Sequence, residues 1–291
     1  MPATSRIAEQ HLGQFIRDGF VLIETSDPIQ RAVEETFRAG ATFFRMSLEK
    51  KLRSRLPQDS GYRPHGVEYS LSPARPDEVE SFTASYRVKT SDIQSLTEEG
   101  DDLYRKMLGL FDLLEPIAEN FIVRLAERLA NLSESDRFHS ALHISSILQL
   151  NYSRPAETRM DYLNELHEDG CLLTISSVTG PGFELQASDG SFLPLTPTGN
   201  KVLFMSGEIL WLLSGGKVRP VHHRVLPVST CLERMSLLLF VDIHPKLCSP
   251  WIKNQINEGI DIGERVLKNS TRFGLSEWEL DANYDQRLSD D

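Results

Sequence analysis

The spacing of apolar residues changes near Ile144, from a helical period to a strand period. Before this point, three segments carry apolar residues every three or four positions, as one face of an α-helix does. These segments are Ile7 to Ile16, Asp27 to Phe44 and Asp101 to Asn131. The continuous apolar run from Gly19 to Ile23 predicts a buried strand between the first two. The front of the chain is therefore predicted to be mainly helical, with one long supporting helix.

After Ile144, short apolar runs are separated by Gly, Pro, Asp or Asn, and this pattern predicts β-strands. The predicted strands are Ile147 to Tyr152, Cys171 to Val178, Gly182 to Ala187, Phe192 to Leu195, Lys201 to Met205, His222 to Val228 and Arg234 to Ile243. Many short, evenly spaced strands indicate a barrel or a sandwich. A polar segment from Trp251 to Lys268 is predicted to be helical, and an acidic tail with Trp278 and Tyr284 follows.

The chain is predicted to form one domain. At 291 residues it is long enough for two average domains, but a β-barrel with helical additions also reaches this size. No repeat or interdomain linker divides it. We predict a mainly helical part over residues 1–143, a β core with the chemistry over 144–245, and a C-terminal helix and tail over 246–291 that is a candidate lid.

Charge and composition limit the partners. A net charge of −11 with scattered basic residues argues against a nucleic-acid surface. No stretch approaches 18 apolar residues and no signal peptide is recognisable, so neither a membrane span nor export is expected, and a cytoplasmic location is predicted. Three cysteines without CxxC spacing argue against a disulfide scaffold and against a structural zinc site. Residues 57–77, rich in proline, predict a long irregular loop of functional importance.

A candidate metal site is formed by His167, Asp169 and His223. Alternate residues of a strand point to the same side, so His167 and Asp169 should sit on a strand or just past its end. Two imidazoles and one carboxylate can cap one face of iron(II) and leave the opposite face open for oxygen and an organic ligand. The neighbouring His222 and His223 face opposite sides of a strand, so only one of them can join this set.

A second candidate site begins at Arg234, which enters the apolar run Leu237 to Val241. A buried arginine needs a carboxylate partner, and its planar fork suits two-point contact with one. Ser236 faces the same way and can add a hydroxyl donor. Such an anchor beside an open metal face would suit a keto-acid cosubstrate. The alternative is a structural ion pair of Arg234 with an Asp or Glu of the chain.

These motifs, HxD at 167–169, HRV at 223–225 and RxS at 234–236, resemble the iron(II)- and 2-oxoglutarate-dependent dioxygenases, and within them the isopenicillin N synthase-like branch. The resemblance runs in family order from about Gly19 to Pro245. Further matching stretches are Asp18 to Ile23, Phe43 to Lys51, Gly61-Tyr62, Glu78 to Phe82, Leu150-Asn151-Tyr152, Gly182 to Gln186 and Met205 to Glu208. The resemblance implies a core built as a double-stranded β-helix, or jelly roll, with flanking helices.

The resemblance also implies roles. His167, Asp169 and His223 would bind the metal, because His223 rather than His222 aligns with HRV. The cosubstrate would be bound by Arg234, Ser236 and Asn151. The cofactors implied are Fe(II), 2-oxoglutarate as cosubstrate and O2. Two positions depart from the family pattern, because Ser153 stands where a second tyrosine is common and Glu208 replaces the usual aspartate.

The function implied is oxidative decarboxylation of 2-oxoglutarate coupled to hydroxylation, desaturation or cyclisation of a small organic substrate, by analogy in specialised metabolism. Arg63 and His65, with Arg75 and Arg87, are candidate contacts for an anionic substrate, and solvated loop charges are the alternative. Two other functions stay open. One is an iron oxidase of the same branch that needs no cosubstrate, which Ser153 favours, and the other is a non-catalytic jelly roll that binds a metal or ligand.

Overall fold

Antiparallel β-sheets form the centre of the computed structural model, which describes residues 7–130 and 139–277. The strands are β1 (Phe20–Glu24), β2 (Gly61–Arg63), β3 (Glu80–Ala84), β4 (Ile147–Ser153), β5 (Asn164–Glu168), β6 (Leu173–Val178), β7 (Phe183–Gln186), β8 (Phe192–Pro194), β9 (Lys201–Ser206), β10 (His222–Val225) and β11 (Arg234–Val241). A seven-stranded sheet has the order β1-β9-β6-β11-β4-β3-β2, and a four-stranded sheet has the order β5-β10-β7-β8. This arrangement confirms the mainly antiparallel core with flanking helices, the class to which jelly rolls belong.

The register of the strands determines which side chains meet. In the larger sheet β11 lies between β4 and β6, and Ser236 stands opposite Asn151. In the smaller sheet β10 pairs with β5, and His223 stands opposite His167. Side chains two apart on one strand share a face, so each pairing brings a whole row of residues together.

Helices flank the larger sheet and connect the strands. They are α1 (Glu9–Asp18), α2 (Asp27–Phe44), α3 (Leu48–Leu52), α4 (Thr90–Ile93), α5 (Glu98–Ala130), α6 (His139–Ser145), α7 (Glu208–Leu213) and α8 (Ile262–Lys268), with short 3-10 turns at Pro245–Leu247 and Asn269–Phe273. The apolar residues of α5 recur every three or four positions and are buried. The predicted supporting helix is therefore present, and within the described residues it begins three positions earlier than the sequence indicated.

The C-terminal helix is shorter than predicted. Only Ile262–Lys268 is helical, and the Asp261 side chain caps it by accepting a hydrogen bond from the backbone N–H of Glu264 at 2.9 Å. Before it, the side chain of Asn257 donates to the carbonyl oxygens of Leu212 and Ile252 at 2.9 and 2.8 Å. Asparagine side chains that bond backbone in this way compete with helix formation, which explains the irregular stretch over residues 251–261.

Residues 57–77 contain one regular element that the sequence did not indicate, the three-residue strand β2. It pairs with β3 at the edge of the larger sheet. No helix in the described ranges is both long enough and apolar enough to cross a membrane.

An aromatic contact joins the helical layer to the larger sheet. The ring of Phe121 on α5 meets Phe15 of α1 edge-on at a centroid distance of 4.8 Å and Phe204 of β9 at 5.0 Å. All three side chains are fully buried. Edge-to-face geometry of this kind adds to the burial of the rings, so Phe121 stabilises the contact among three elements.

Replacing Phe121 by alanine is expected to lower the free energy of unfolding by about 3–5 kcal/mol, because the cavity would remain among rings that cannot collapse into it. The matched control is Leu113→Ala on the same helix, whose residue is 38% exposed and which should change stability little. Urea denaturation followed by circular dichroism measures both. Equal losses for the two variants would contradict this packing.

Candidate active site

A cavity of about 160 Å³ lies between the two sheets and is covered by the C-terminal segment. The two sheets contribute both polar and apolar walls. Its lining residues include Gln149, Asn151, Ser176, Ser236, Leu238 and Phe240 of the larger sheet, Asn164, His167, Phe183, His223 and Val225 of the smaller sheet, and Asp169, Gly170 and Cys171 of the loop after β5. All three candidate metal ligands are therefore in one wall.

His167, Asp169 and His223 form a compact cluster. One ligand atom from each residue lies within 4.8 Å of the other two. Oδ1 of Asp169 is 3.8 Å from Nε2 of His167 and 3.7 Å from Nε2 of His223. His167 is on β5 and Asp169 follows its last residue, so the expectation from their spacing is confirmed.

His222 points away from this cluster. Its side chain is exposed and its Nε2 lies 3.5 Å from Oε2 of Glu168, on the outer face of the smaller sheet. His223, one position on, is buried in the cavity wall. The alternation along β10 therefore leaves His223 as the histidine of this pair that can join His167 and Asp169.

Neighbouring groups orient the three side chains. Nδ1 of His167 is 2.6 Å from the carbonyl oxygen of Glu165, and Nδ1 of His223 is 3.2 Å from that of Val221. A carbonyl only accepts, so each Nδ1 carries the proton and donates it, and each Nε2 keeps its lone pair. The hydroxyl of Thr174 donates to Oδ2 of Asp169 at 2.6 Å and leaves Oδ1 facing the histidines.

Burial keeps the His223 imidazole neutral. Desolvation, reinforced by the neighbouring His167, lowers the pKa of His223 to about 4, although Asp169 acts in the opposite direction. A neutral imidazole with a free Nε2 is the form that binds a metal ion. The cluster is thus prepared for a cation rather than held together by a charged histidine.

Arg234 is buried without a carboxylate partner. Its Nε donates to the carbonyl oxygen of Pro181 at 2.9 Å and its Nη1 to Oγ of Ser236 at 2.5 Å, while the buried Nη2 has no hydrogen-bond partner among the described residues. Burial lowers the pKa of Arg234 to about 10. Within residues 7–130 and 139–277 no Asp or Glu forms an ion pair with it, so the structural pair considered from the sequence is not found there.

A polar network borders Asn151. Nε2 of Gln149 donates to Oδ1 of Asn151 at 2.7 Å and to Oε2 of Glu68 at 2.9 Å. With Oδ1 occupied, the Nδ2 donors of Asn151 are available to a ligand in the cavity. Asn151 stands opposite Ser236 in the pairing of β4 with β11, and both residues line the cavity.

Arg63 and His65 do not reach the cavity wall. Arg63 is buried, with Nε 2.9 Å from Oγ of Ser81 and 3.0 Å from Oε1 of Glu68, and its Nη2 donates to Gln149. Its guanidinium therefore supports the polar network from behind. His65 is half-exposed, and its Nε2 lies 3.3 Å from Oε1 of Glu78.

The other two arginines named from the sequence have different positions. Arg75 lies at the surface, where Nη1 is 2.8 Å from Oε1 of Glu165. Arg87 does line the cavity. The proline-rich loop contributes through other residues, because Glu68, Tyr69, Ser70 and Asp77 are part of the wall.

The C-terminal segment covers the cavity. The sequence indicated this segment only as a candidate lid and did not indicate which of its residues line the cavity. The lining residues it supplies are Val266, Asn269, Ser270, Phe273 and Leu275. The ring of Phe273 meets His167 at a centroid distance of 6.1 Å. A Cβ added at Gly170 would lie 1.6 Å from Oδ1 of Asn269, so the glycine permits this close approach. Trp278 and Tyr284 lie outside the described residues.

Glu208 holds this segment in place. Its carboxylate accepts from Nη2 of Arg265 at 2.7 Å and from Nη1 of Arg272 at 2.5 Å. The backbone N–H of Glu208 also donates to the carbonyl oxygen of Asp169 at 2.9 Å. The departure from the family's usual aspartate therefore has a structural counterpart, because the longer side chain links the metal-site loop to the covering segment.

Comparisons with known proteins agree with this geometry. The family model described as "2OG-Fe(II) oxygenase superfamily" matches residues 144–243. Among curated proteins, the chain is 22% identical to gibberellin 2-beta-dioxygenase of Phaseolus coccineus over 68% of its length, and 27% identical to gibberellin 2-beta-dioxygenase 1 of Arabidopsis thaliana over 77%. The matches span 62% and 66% of those relatives, so the chain covers less than two thirds of their length.

Solved structures show the same fold. A full-length Neurospora crassa protein in complex with alpha-KG superposes with a TM-score of 0.74 at 21% identity, covering 90% of this chain and 89% of that one. The dioxygenase for auxin oxidation 1 of Arabidopsis thaliana, in a 2-oxoglutarate complex, gives a TM-score of 0.66 at 19% identity over 82% and 90%. The jelly-roll core is thereby confirmed. In its β core and its His-Asp-His cluster the chain is similar to the 2OG-Fe(II) oxygenases, whose family model matches residues 144–243.

Proposed function

We propose that this protein is a non-haem iron(II) dioxygenase that couples oxidative decarboxylation of 2-oxoglutarate to oxidation of a small organic substrate. The observation that carries the proposal is the placement of His167, Asp169 and His223 in the wall of a cavity that Ser236 also lines, with the buried Arg234 hydrogen-bonded to Ser236. The family-model match over residues 144–243 and the 2-oxoglutarate complexes of structural neighbours support it.

The donor set fits iron(II). Two imidazole nitrogens and one carboxylate oxygen are the ligands typical of non-haem iron(II) oxygenases. The atoms that would not bind the metal, Nδ1 of each histidine and Oδ2 of Asp169, are already hydrogen-bonded to the protein. Iron(II) bound by His167, Asp169 and His223 would supply the oxidation chemistry with dioxygen and the keto acid. The protein supplies binding, orientation and a site protected from water.

Arg234, Ser236 and Asn151 would bind the cosubstrate. Nη2 of Arg234, which has no partner among the described residues, and the hydroxyl of Ser236 together suit the distal carboxylate of 2-oxoglutarate, because a buried guanidinium gains most from an anion that pairs with it. Asn151 stands opposite Ser236 and offers its amide donors to the same ligand. Together these residues fix one end of the cosubstrate on the larger sheet.

Apolar side chains and the covering segment would exclude water. Phe183 and Phe273 lie beside the rings of His223 and His167, at centroid distances of 5.5 and 6.1 Å. We propose that the chain is a single domain whose C-terminal segment acts as a lid over the reacting groups. The ion pairs of Glu208 with Arg265 and Arg272 would hold this lid closed.

The substrate is proposed only as a class. The relatives are named for gibberellin, and structural neighbours are described with thymine or for auxin oxidation. These are small organic molecules of unlike structure, so we propose a small organic substrate without naming it. The reaction is proposed to be hydroxylation, desaturation or cyclisation, in specialised metabolism. A cytoplasmic location stays a prediction from the sequence.

An iron oxidase without cosubstrate is the second candidate, and Ser153 is the observation that favours it. Its hydroxyl lies 3.5 Å from the carbonyl oxygen of Arg234, and the tyrosine common in the family is missing. In that case Arg234 would bind a carboxylate of the substrate itself. Release of succinate from 2-oxoglutarate by the iron-loaded protein supports the dioxygenase, and oxidation that proceeds equally without 2-oxoglutarate supports the oxidase.

His167→Ala and Asp169→Ala are expected to abolish Fe(II) binding, because a two-ligand remainder cannot hold the ion against water. His222→Ala removes the neighbouring histidine on the outer face and should bind Fe(II) as the wild type does. Anaerobic calorimetric titration of each purified protein measures the affinity. Loss of binding in His222→Ala, with retention in His223→Ala, would reverse the ligand assignment.

Arg234→Leu is expected to weaken 2-oxoglutarate binding by about 3 kcal/mol, or roughly a hundredfold, because a charge-assisted two-point contact is lost. Ser236→Ala removes one neutral donor and should cost roughly 1–2 kcal/mol. Arg105→Leu, at an exposed arginine of α5, is the control. The measurement is the dissociation constant of 2-oxoglutarate from each iron-loaded protein. Equal constants for Arg234→Leu and the control would contradict the proposal that Arg234 binds the cosubstrate.

Thr174 is expected to act as a positioning residue for Asp169. Thr174→Val keeps the shape but removes the hydroxyl that bonds Oδ2, and should weaken Fe(II) binding about tenfold or more. Thr174→Ser keeps the donor and should restore most of the affinity. Fe(II) titration together with thermal melting separates this role from a packing defect, in which valine would lower stability but leave metal affinity unchanged.

A further inference from the structure

The cavity has a second polar end, opposite the arginine anchor. Ser236, Leu238, Phe240 and Asp242 occupy alternate positions and all line the cavity. At roughly 3.3 Å per residue, Asp242 lies roughly 20 Å along β11 and its extension from Ser236. Between the two polar ends the wall contributed by this row is apolar, formed by Leu238 and Phe240.

Asp242 is held in a defined position at this end. Its Oδ1 accepts the backbone N–H of Leu172 at 3.2 Å, and its own backbone N–H donates to Oγ of Ser146 at 3.1 Å. Burial raises the pKa of Asp242, and the positive charge of Arg87 opposes part of this rise. Asp242 and Arg87 thus place an acceptor and a positive charge at the same end of the cavity.

Arg87 lines the same end as a fixed positive charge. Its Nε donates to the carbonyl oxygen of Ile144 at 3.0 Å and its Nη2 to that of Ser145, at the C-terminus of α6. Arginine is favoured at this position, where helix carbonyls lack partners. The guanidinium is thus oriented by the fold and does not depend on a ligand.

Ser145 supplies an independent sign of a ligand. The residue is buried, lines the cavity, and its Oγ has no hydrogen-bond partner among the described residues. A buried hydroxyl without a partner is costly, and that cost is removed when a bound molecule completes its hydrogen bond. The same situation occurs beside Ser236, where Nη2 of Arg234, a residue that does not itself line the cavity, lacks a partner among the residues that the structure describes.

We propose that Asp242, Arg87 and Ser145 form a substrate subsite that binds a neutral amide-type group, with a carbonyl beside an N–H. The inference deepens the proposed function, on which it rests. It assigns to the substrate a polar, uncharged end that lies away from the cosubstrate and an apolar middle that packs on Leu238 and Phe240.

The charges at this end select a neutral group. An anion would meet the carboxylate of Asp242, and a cation would meet the guanidinium of Arg87. An amide has an acceptor for one partner and a donor for the other, and it brings no net charge into a buried site.

The test measures binding of three ring compounds of similar size. The probes are the lactam 2-piperidone, cyclopentanecarboxylate and cyclopentylammonium, titrated calorimetrically and without oxygen into protein loaded with Fe(II) and 2-oxoglutarate. The wild type should bind the lactam at least tenfold more tightly than either ion. Asp242→Leu should weaken lactam binding at least tenfold, while 2-oxoglutarate binding stays within about twofold of the wild type.

Asp189→Leu is the control, because it removes an exposed aspartate on the turn between β7 and β8. Ser145→Ala gives a second test that does not depend on how Asp242→Leu folds. It removes a hydroxyl that has no partner among the described residues, so folding should be retained while the lactam binds several-fold more weakly.

The outcomes separate the two proposals. Failure of the wild type to bind 2-oxoglutarate would contradict the proposed function. Normal 2-oxoglutarate binding would contradict the subsite alone if the lactam did not bind, if either ion bound as tightly as the lactam, or if Asp242→Leu and Ser145→Ala bound it as the wild type does.

Discussion

The pairing of β10 with β5 is the constraint on which the rest of the site depends. It sets His223 opposite His167, and Asp169 follows from the end of the same strand. A shift of the register by one residue would turn His223 outward and bring His222 to the cavity in its place. The bonds from each Nδ1 to a backbone carbonyl then fix the rings, so the cluster is formed by the backbone before any metal is bound.

A buried positive charge lies next to the cavity-lining Ser236. Arg234 is taken out of water, and among the described residues its Nη2 has no hydrogen-bond partner and no carboxylate compensates its charge. Leaving a buried charge without a counter-ion is costly, so this position is best explained by a ligand that supplies the anion. The uncompensated charge lowers the stability of the unliganded fold. A cosubstrate whose carboxylate pairs with Arg234 would remove this cost when it binds.

The local parts of the site could be predicted from the sequence, because strand alternation acts over two residues. It placed His167 with Asp169, separated His222 from His223, and aligned Arg234 with Ser236. Contacts between distant segments left no such periodic signal. Asp242 falls inside the predicted strand Arg234 to Ile243, whose pattern does not indicate a contact with Arg87. The placement of Asn269 over Gly170 depends on how the last helix is anchored to Glu208. Arg63, a candidate substrate contact from its place in the loop, instead lies behind the wall, because the short strand β2 turns it toward Glu68 and Ser81.

The central claim is that one cavity holds iron(II) and 2-oxoglutarate together. Anaerobic addition of Fe(II) and then 2-oxoglutarate to the wild-type protein tests it directly, through the weak visible charge-transfer absorption of a keto acid bound to iron(II). The account predicts an absorption band that forms only when both are present and saturates at one equivalent of each. Iron binding without any band on addition of 2-oxoglutarate would contradict it.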